Sequence, residues 1–240
     1  MIDLYCFSPA FGLPSPGPFA LKTEVHLKMM GLPFAKQFEG YANAPKGKLP
    51  YIDDAGTVVA DSAFIRLYLE KRYRQDLDAG FDDDRRAVAW AAERLAEDQL
   101  YWAMVYTRWA IDENFDRGPS HFFNHLPGAA QDIARQKQRR AVLGYLQGQG
   151  MGRHSTAEIT ELVTIGYAAL ARLLGNKPYL LGDHPCGADA SIFAQLASIL
   201  TPFFDSPVRD AAVRHKNLVA YSDRMMAAYF PEARVASAQA

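Results

Sequence analysis

The sequence predicts a small α/β domain followed by an all-α domain. Short elements in the order βαβ, then ββα, fill about the first 75 residues. An acidic, glycine-containing run, DLDAGFDDD at 76–84, comes next, and beyond it almost every long segment repeats its apolar residues at helical spacing. With 240 residues the chain can form one large or two small domains, each with an ordinary core. The boundary falls in the acidic run, giving domains 1–75 and 83–240.

The first strand is the apolar stretch Ile2 to Phe7. A Pro/Gly loop leads to a helix from about Pro18 to Met30, stopped by Gly31, and then to a short strand, Phe34 to Phe38. Pro50 to Ile52 and Thr57 to Ala60 form a hairpin around the turn Asp53-Asp54-Ala55-Gly56, and a helix follows from Ser62 to about Tyr73. In the second half, Val88, Ala92, Leu95, Gln99, Trp102, Tyr106 and Trp109 recur at steps of three and four and define one face of a long aromatic helix. Ile159, Leu162, Val163, Gly166, Ala169, Leu170 and Leu173 form a second, almost wholly apolar stripe, expected of the central helix in a bundle. A third helical segment begins near Ala188.

Composition removes several functions. Lys plus Arg total 26 against 27 Asp plus Glu, so no net field gathers nucleic acid or anionic lipid. The uncharged stretch Leu4 to Leu21 holds four prolines and Ala190 to Phe204 is too short to span a bilayer, so no membrane span is expected. The opening MIDLYCF has no basic region before an apolar run, and Cys6 and Cys186 form no CxxC pair; both suit a cytoplasmic protein with incidental thiols. His121 and His125 have the i, i+4 spacing of metal ligands but no HExxH glutamate between them, so no metal site is assigned. The GQGMG run at 148–152 follows a helical pattern rather than a strand, which favours a link between helices over a phosphate loop.

Chemistry concentrates at residues 46–70, KGKLPYIDDAGTVVADSAFIRLYLE. A cis Leu49-Pro50 bond would turn the chain and leave the Leu49 N–H and C=O facing outward, free to pair with an extended peptide. At Asp61-Ser62, where a helix opens, the Ser62 hydroxyl and the free first-turn amides would converge on a carboxylate.

Together and in this order, these elements resemble the glutathione S-transferase superfamily, and within it the branch of the failed axon connections protein, the metaxins and their bacterial relatives. Matching stretches run through most of the chain: GLPSPGPFALKTEVHLKMMGLPF at 12–34, KGKLPYIDD, ADSAFI, YTRW at 106–109, GQGMGRHSTAEI at 148–159 and LGNKPYLLGDHPCGADASIFAQL at 174–196. The resemblance implies a thioredoxin-like domain followed by a helical bundle. It implies glutathione as ligand or cosubstrate, held by Lys48, Leu49, Pro50, Asp61 and Ser62, a small apolar electrophile as second substrate, and a possible homodimer. The branch also includes proteins regarded as adaptors, so a noncatalytic binding protein is the other expectation.

In such transferases a Tyr, Ser or Cys near the end of the first strand or the start of the first helix donates to the glutathione sulfur and favours thiolate. The branch typically opens that helix with a serine where this chain has Gly17. Ser15, presented by a flexible Pro-Ser-Pro-Gly-Pro loop, becomes the catalytic candidate, Tyr5 the alternative, and loop amides or water the remaining donors. The acceptor pocket is expected between the domains, lined by Phe11, Tyr101, Trp102, Tyr106, Arg108 and Trp109. Asp189, in CGADAS, resembles the acid of a helix-capping box whose hydroxyl partner is replaced by Cys186, which gives it a structural role.

Overall fold

A computed structural model describes residues 1–232. Strand β1 (Ile2–Tyr5) pairs in parallel with β2 (Phe34–Gln37), crossing over through helix α1 (Pro18–Met29). β3 (Tyr51–Asp54) runs antiparallel to β1, and β4 (Thr57–Ala60) antiparallel to β3, so the mixed sheet has the order β2-β1-β3-β4. The hairpin turn is tighter than the sequence suggests. Ala55 and Gly56 alone make it, both with positive φ (51° and 92°), and β3 therefore extends through Asp54.

Side-chain alternation directs Ile2, Leu4 and Ile52 to one face of the sheet, where they pack with Ala20 and Leu27 of α1, with Met30 just after it, and with Ile65 and Leu69 of α2 (Ser62–Tyr73). The opposite flank of α1 belongs to a different core: Leu21 and Val25, with Leu13 from the preceding loop, pack among the residues of the helical half. Helix α1 is thus buried on both sides, continuously from Ala20 to Leu27, polar residues included.

The acidic run at 76–84 is anchored at Asp78 and Phe81, while Asp76 and Asp82 to Asp84 are exposed. Asp78 accepts from the Gly187 N–H (2.9 Å) and from Arg66 (2.6 Å), and Phe81 stacks on His184 with ring centroids 4.5 Å apart. The charge pattern of a linker conceals a carboxylate that caps a helix start and meets a cation.

The long aromatic helix is two helices, α3 (Asp83–Arg94) and α4 (Tyr101–Trp109), joined through a π-helical stretch at Leu95–Leu100. Its buried face is Ala89, Ala92, Ala96, Leu100, Ala103, Met104 and Thr107, whereas Val88 is exposed and Trp102, Tyr106 and Trp109 are only partly buried. Small alanines permit close approach to neighbouring helices, so the aromatic residues lie at the margins of that contact. After α5 (Asp112–Arg117), α6 (Gly128–Gln149) ends at the glycine run, which leads through a short turn into α7 (Thr156–Leu174). Ala169 of the predicted α7 stripe is exposed. The central helix is instead α8 (Gly187–Leu200), buried from Gly187 through Ile199 and flanked by α9 (Pro207–Val213) and α10 (Lys216–Tyr229). Asp189 secures its start: the carboxylate accepts from the Cys186 N–H (2.8 Å), the Leu180 N–H (2.9 Å) and the Tyr221 hydroxyl (2.7 Å). Among the described residues no helix is long and apolar enough to cross a membrane.

Candidate functional site

Strand register gathers three segments at one end of the sheet. Tyr5 at the end of β1, Tyr51 at the start of β3 and Ala60 at the end of β4 lie side by side. The loop leaving β1, the Leu49-Pro50 entry to β3 and the Asp61-Ser62 exit from β4 therefore share that end. The Leu49-Pro50 bond is cis, and among the described residues the Leu49 N–H and C=O have no hydrogen-bond partner; the Pro50 C=O accepts from the Asp61 N–H at 3.3 Å. Asp61 has φ 84°, an uncommon conformation for a residue with a side chain, and its Oδ1 caps α2 by accepting from the Ala63 N–H at 3.0 Å. Ser62 is buried and Lys48 exposed; no hydrogen bond to the Ser62 hydroxyl is made among the described residues. An extended peptide can pair along Leu49, and a carboxylate can be met by Ser62 and the first-turn amides of α2.

The loop after β1 is a pinned strap, not a flexible one. Its carbonyls are held from three elements: Phe11 by the Thr201 hydroxyl (2.7 Å), Pro14 by Lys36 (3.2 Å) and Pro16 by Arg108 (2.7 Å). Ser15, between these anchors, is 0% exposed and its hydroxyl is unpartnered among the described residues. Tyr5 alternates with Leu4 and lies on the sheet face away from α1, stacked on Tyr51 with centroids 4.1 Å apart. The start of α1 itself presents backbone groups. There, Gly17 caps the helix without a side chain, Pro18 has no N–H, and the Gly17 and Phe19 amides are unpaired among the described residues. The Phe7 ring fills the space beside Gly17: a Cβ on that residue would lie 3.1 Å from it.

The expected acceptor lining separates. Phe11 is buried in an aromatic cluster with Phe122, Phe203 and Phe204, at centroid distances of 4.8–5.4 Å. The Tyr106 hydroxyl is hydrogen-bonded to that of Thr156 (2.7 Å), and Trp109 packs against Phe115. Arg108 is interior, its guanidinium bridging the loop and α8 by donating to the Pro16 and Ser198 carbonyls at 2.7 Å each. Tyr101 stays with the start of α1, edge-on to Phe19 at 4.8 Å, and Trp102 packs edge-on to Tyr101 at 5.2 Å. Phe7, exposed and 6.1 Å from Tyr41, completes an aromatic rim there that the sequence pattern concealed, since a single aromatic after a strand carries no periodic signal.

On the other flank of α1, Lys22 is 1% exposed and donates to Glu93 and Glu97 at 2.6 Å each. Ser191 also donates to Glu97, and Arg94 pairs with both acids. Burial pushes the Glu97 carboxyl up, but Lys22, Ser191 and Arg94 together hold it below its ordinary value.

Residues 18–115 match the glutathione S-transferase N-terminal domain and residues 166–225 the glutathione S-transferase C-terminal domain. The chain belongs to the glutathione S-transferase family. It is 32% identical over 247 residues to the isoprene-epoxide glutathione S-transferase of Rhodococcus sp. (strain AD45), covering 95% of this chain and 99% of that protein. It is 30% identical to Failed axon connections of Drosophila melanogaster over 97% of this chain, which spans 59% of that longer protein, and 28% identical to Metaxin-1 of Macaca fascicularis over 96% of this chain and 75% of that protein. These relatives put it in the metaxin-like branch. The fold is shared with Beta-etherase LigF of Sphingobium sp. strain SYK-6 (TM-score 0.66, 23% identity, 97% and 98% of the two chains). It is also shared with a glutathione S-transferase of Methylobacterium radiotolerans in complex with glutathione sulfonate (TM-score 0.59, 22% identity, 97% and 93% of the two chains).

Proposed function

We propose that this protein binds glutathione and conjugates its thiolate to a small apolar electrophile. The observation that carries the reading is the set of unpaired groups at one end of the sheet, the Leu49 backbone, the Ser62 hydroxyl and the α1 amides. The cysteinyl backbone of the tripeptide pairs with Leu49, its γ-glutamyl carboxylate accepts from Ser62, and its α-amine donates to Asp61. The sulfur then lies at the start of α1. With an epoxide, the acceptor class in the name of the Rhodococcus relative, the thiolate forms a C–S bond as the C–O bond breaks, and the alkoxide takes a proton from water. Calorimetric titration with glutathione, followed by a panel of epoxide, halide and peroxide acceptors, tests the reading. Saturable binding with turnover on at least one acceptor supports it; absence of binding overturns it.

The second reading is a noncatalytic binding or adaptor protein, favoured by Gly17, which leaves no hydroxyl at the start of α1. Saturable binding without turnover on any acceptor would select it. We also propose a homodimer built on the exposed apolar side chains Phe64 and Leu67 of α2 and Trp90 of α3, checked by light scattering on the wild type and Leu67→Glu. A cytoplasmic setting suits Cys6 and Cys186, both free and buried, with burial pushing the Cys6 thiol up to about 11.

A further inference from the structure

Arg108 on α4 is buried, and its guanidinium uses Nη1 on the Pro16 carbonyl and Nη2 on the Ser198 carbonyl, each at 2.7 Å, while Nε is unpartnered. It lies over the rings of Phe11 (5.4 Å) and Phe204 (5.1 Å). Lys36 and Lys22, by contrast, are neutralised, Lys36 by Glu24 (2.8 Å) and Lys22 by Glu93 and Glu97. Arg108 has no carboxylate partner among the described residues, and the titratable group facing it is the phenol of Tyr101. Burial pushes the guanidinium down to about 9, so it is still a cation at neutral pH. A buried charge without a counter-ion is costly, and a neutral donor would suffice for a mere strut.

The Pro16 carbonyl belongs to the same peptide unit as the Gly17 N–H. That peptide is trans, so its C=O and N–H point in opposite directions. With the carbonyl held on the buried guanidinium, the N–H points away from it, and it has no partner among the described residues.

Building on the glutathione reading above, we propose that Arg108 is a positioning residue for the thiolate. By holding the Pro16 carbonyl it aims and polarises the Gly17 N–H toward the sulfur, replacing the hydroxyl that Gly17 lacks. A donor that itself belongs to a charge-assisted chain is stronger than an isolated amide, and a fixed dipole aimed at developing charge needs no reorganisation when the thiol ionises. The proton leaves to solvent.

The test begins with S-methylglutathione, which has no ionisable thiol. If the wild type fails to bind it, the glutathione reading itself fails. If it binds, ultraviolet titration of bound glutathione follows in the wild type and in Gly17→Ala, Gly17→Pro, Arg108→Gln and Arg108→Lys. The Ala and Pro variants both meet the Phe7 ring, but only Pro removes the N–H. The expected thiol pKa is below that of free glutathione in the wild type and in Gly17→Ala, and about one to two units higher in Gly17→Pro and Arg108→Gln. Arg108→Lys, which retains a charged donor, restores part of the difference. A wild-type thiol pKa equal to that of free glutathione overturns the inference, as does equality of Gly17→Pro with Gly17→Ala. Equality of Arg108→Gln with the wild type overturns it too; should that variant not fold, the Gly17 pair decides.

Discussion

Helix α1 separates two polar regions built on opposite rules. On its flank against α3 and α8, Lys22 is met by two carboxylates, one of which is also met by Ser191. At the sheet end where α1 begins, the Leu49 backbone, the Ser62 hydroxyl and the Gly17 amide have no hydrogen-bond partner among the described residues. Burial accounts for the difference at Lys22, Leu49 and Gly17, whereas Ser62 is buried and still open to a partner. Lys22 is sealed from water, so its charge must be satisfied within the fold. The Leu49 groups and the α1 amides lie where water or a ligand can reach them, and leaving them open costs little until something binds. Cohesion between the domains comes from the first region, recognition from the second.

The largest expected effect breaks the first region. Lys22→Met takes the buried cation from Glu93 and Glu97, leaving the part-exposed Arg94 paired to both, and should destabilise the protein by about 3 kcal/mol, the low end for a broken buried pair. Chemical denaturation reads this directly; a loss below about 1 kcal/mol would mean that water screens the cluster despite its burial. Gly187 sharpens the same region, because a Cβ there would run into the Arg66 guanidinium, and Gly187→Ala should lower the midpoint of the same transition.

Ser62→Ala should do the opposite, leaving stability within about 0.5 kcal/mol and weakening glutathione binding by about 1–3 kcal/mol through the lost charge-assisted hydrogen bond. Calorimetry and thermal melting of one preparation separate the two. If the melt falls and affinity does not, the serine is only a helix component.

Acid distinguishes the regions without mutation. His26, buried against α8, donates from Nε2 to the Gly187 carbonyl (2.9 Å), and burial, then Lys22 and Arg66, push its pKa well below the ordinary 6.5. A depressed folded value means that the neutral ring's contribution is complete above pH 6.5 and is lost as pH falls below it. Stability should therefore decline by about 1.4 kcal/mol per pH unit below 6.5. Glu97, held below its ordinary 4.5, adds a further loss below that pH. Denaturation curves at pH 7.5, 6.5 and 5.5 check the sign; a flat profile would mean that His26 is charged in the folded protein.

Much of this was legible in the sequence, and what was not has a physical cause. Alternation and punctuation located all four strands and both helices of the first half, and Pro50 and Asp61-Ser62 marked the sheet end. Arg108 beside aromatic residues looked like a pocket wall because its partners, the Pro16 and Ser198 carbonyls, lie about 90 residues away in either direction and leave no local trace. Ser15 looked available because proline and glycine suggest a mobile loop, whereas Thr201, Lys36 and Arg108 hold its carbonyls from three distant elements. The aromatic stripe marks one face of α3 and α4 but not the face that packs, where the small alanines Ala89, Ala92, Ala96 and Ala103 are buried.

The smallest effect concerns Tyr106, which the sequence assigns to the acceptor pocket and whose hydroxyl the structure ties to Thr156 across α4 and α7. One neutral, part-buried hydrogen bond contributes about 1 kcal/mol. Tyr106→Phe retains the ring and should lose about that much stability, and Thr156→Val a similar amount. Because the two hydroxyls are each other's partner, the double variant should cost less than the sum of the singles. An additive double-mutant cycle would mean that the two hydroxyls act independently. A change in the Michaelis constant for an acceptor with no change in stability would return Tyr106 to the pocket and move the boundary between the cohesive and the ligand-reading regions.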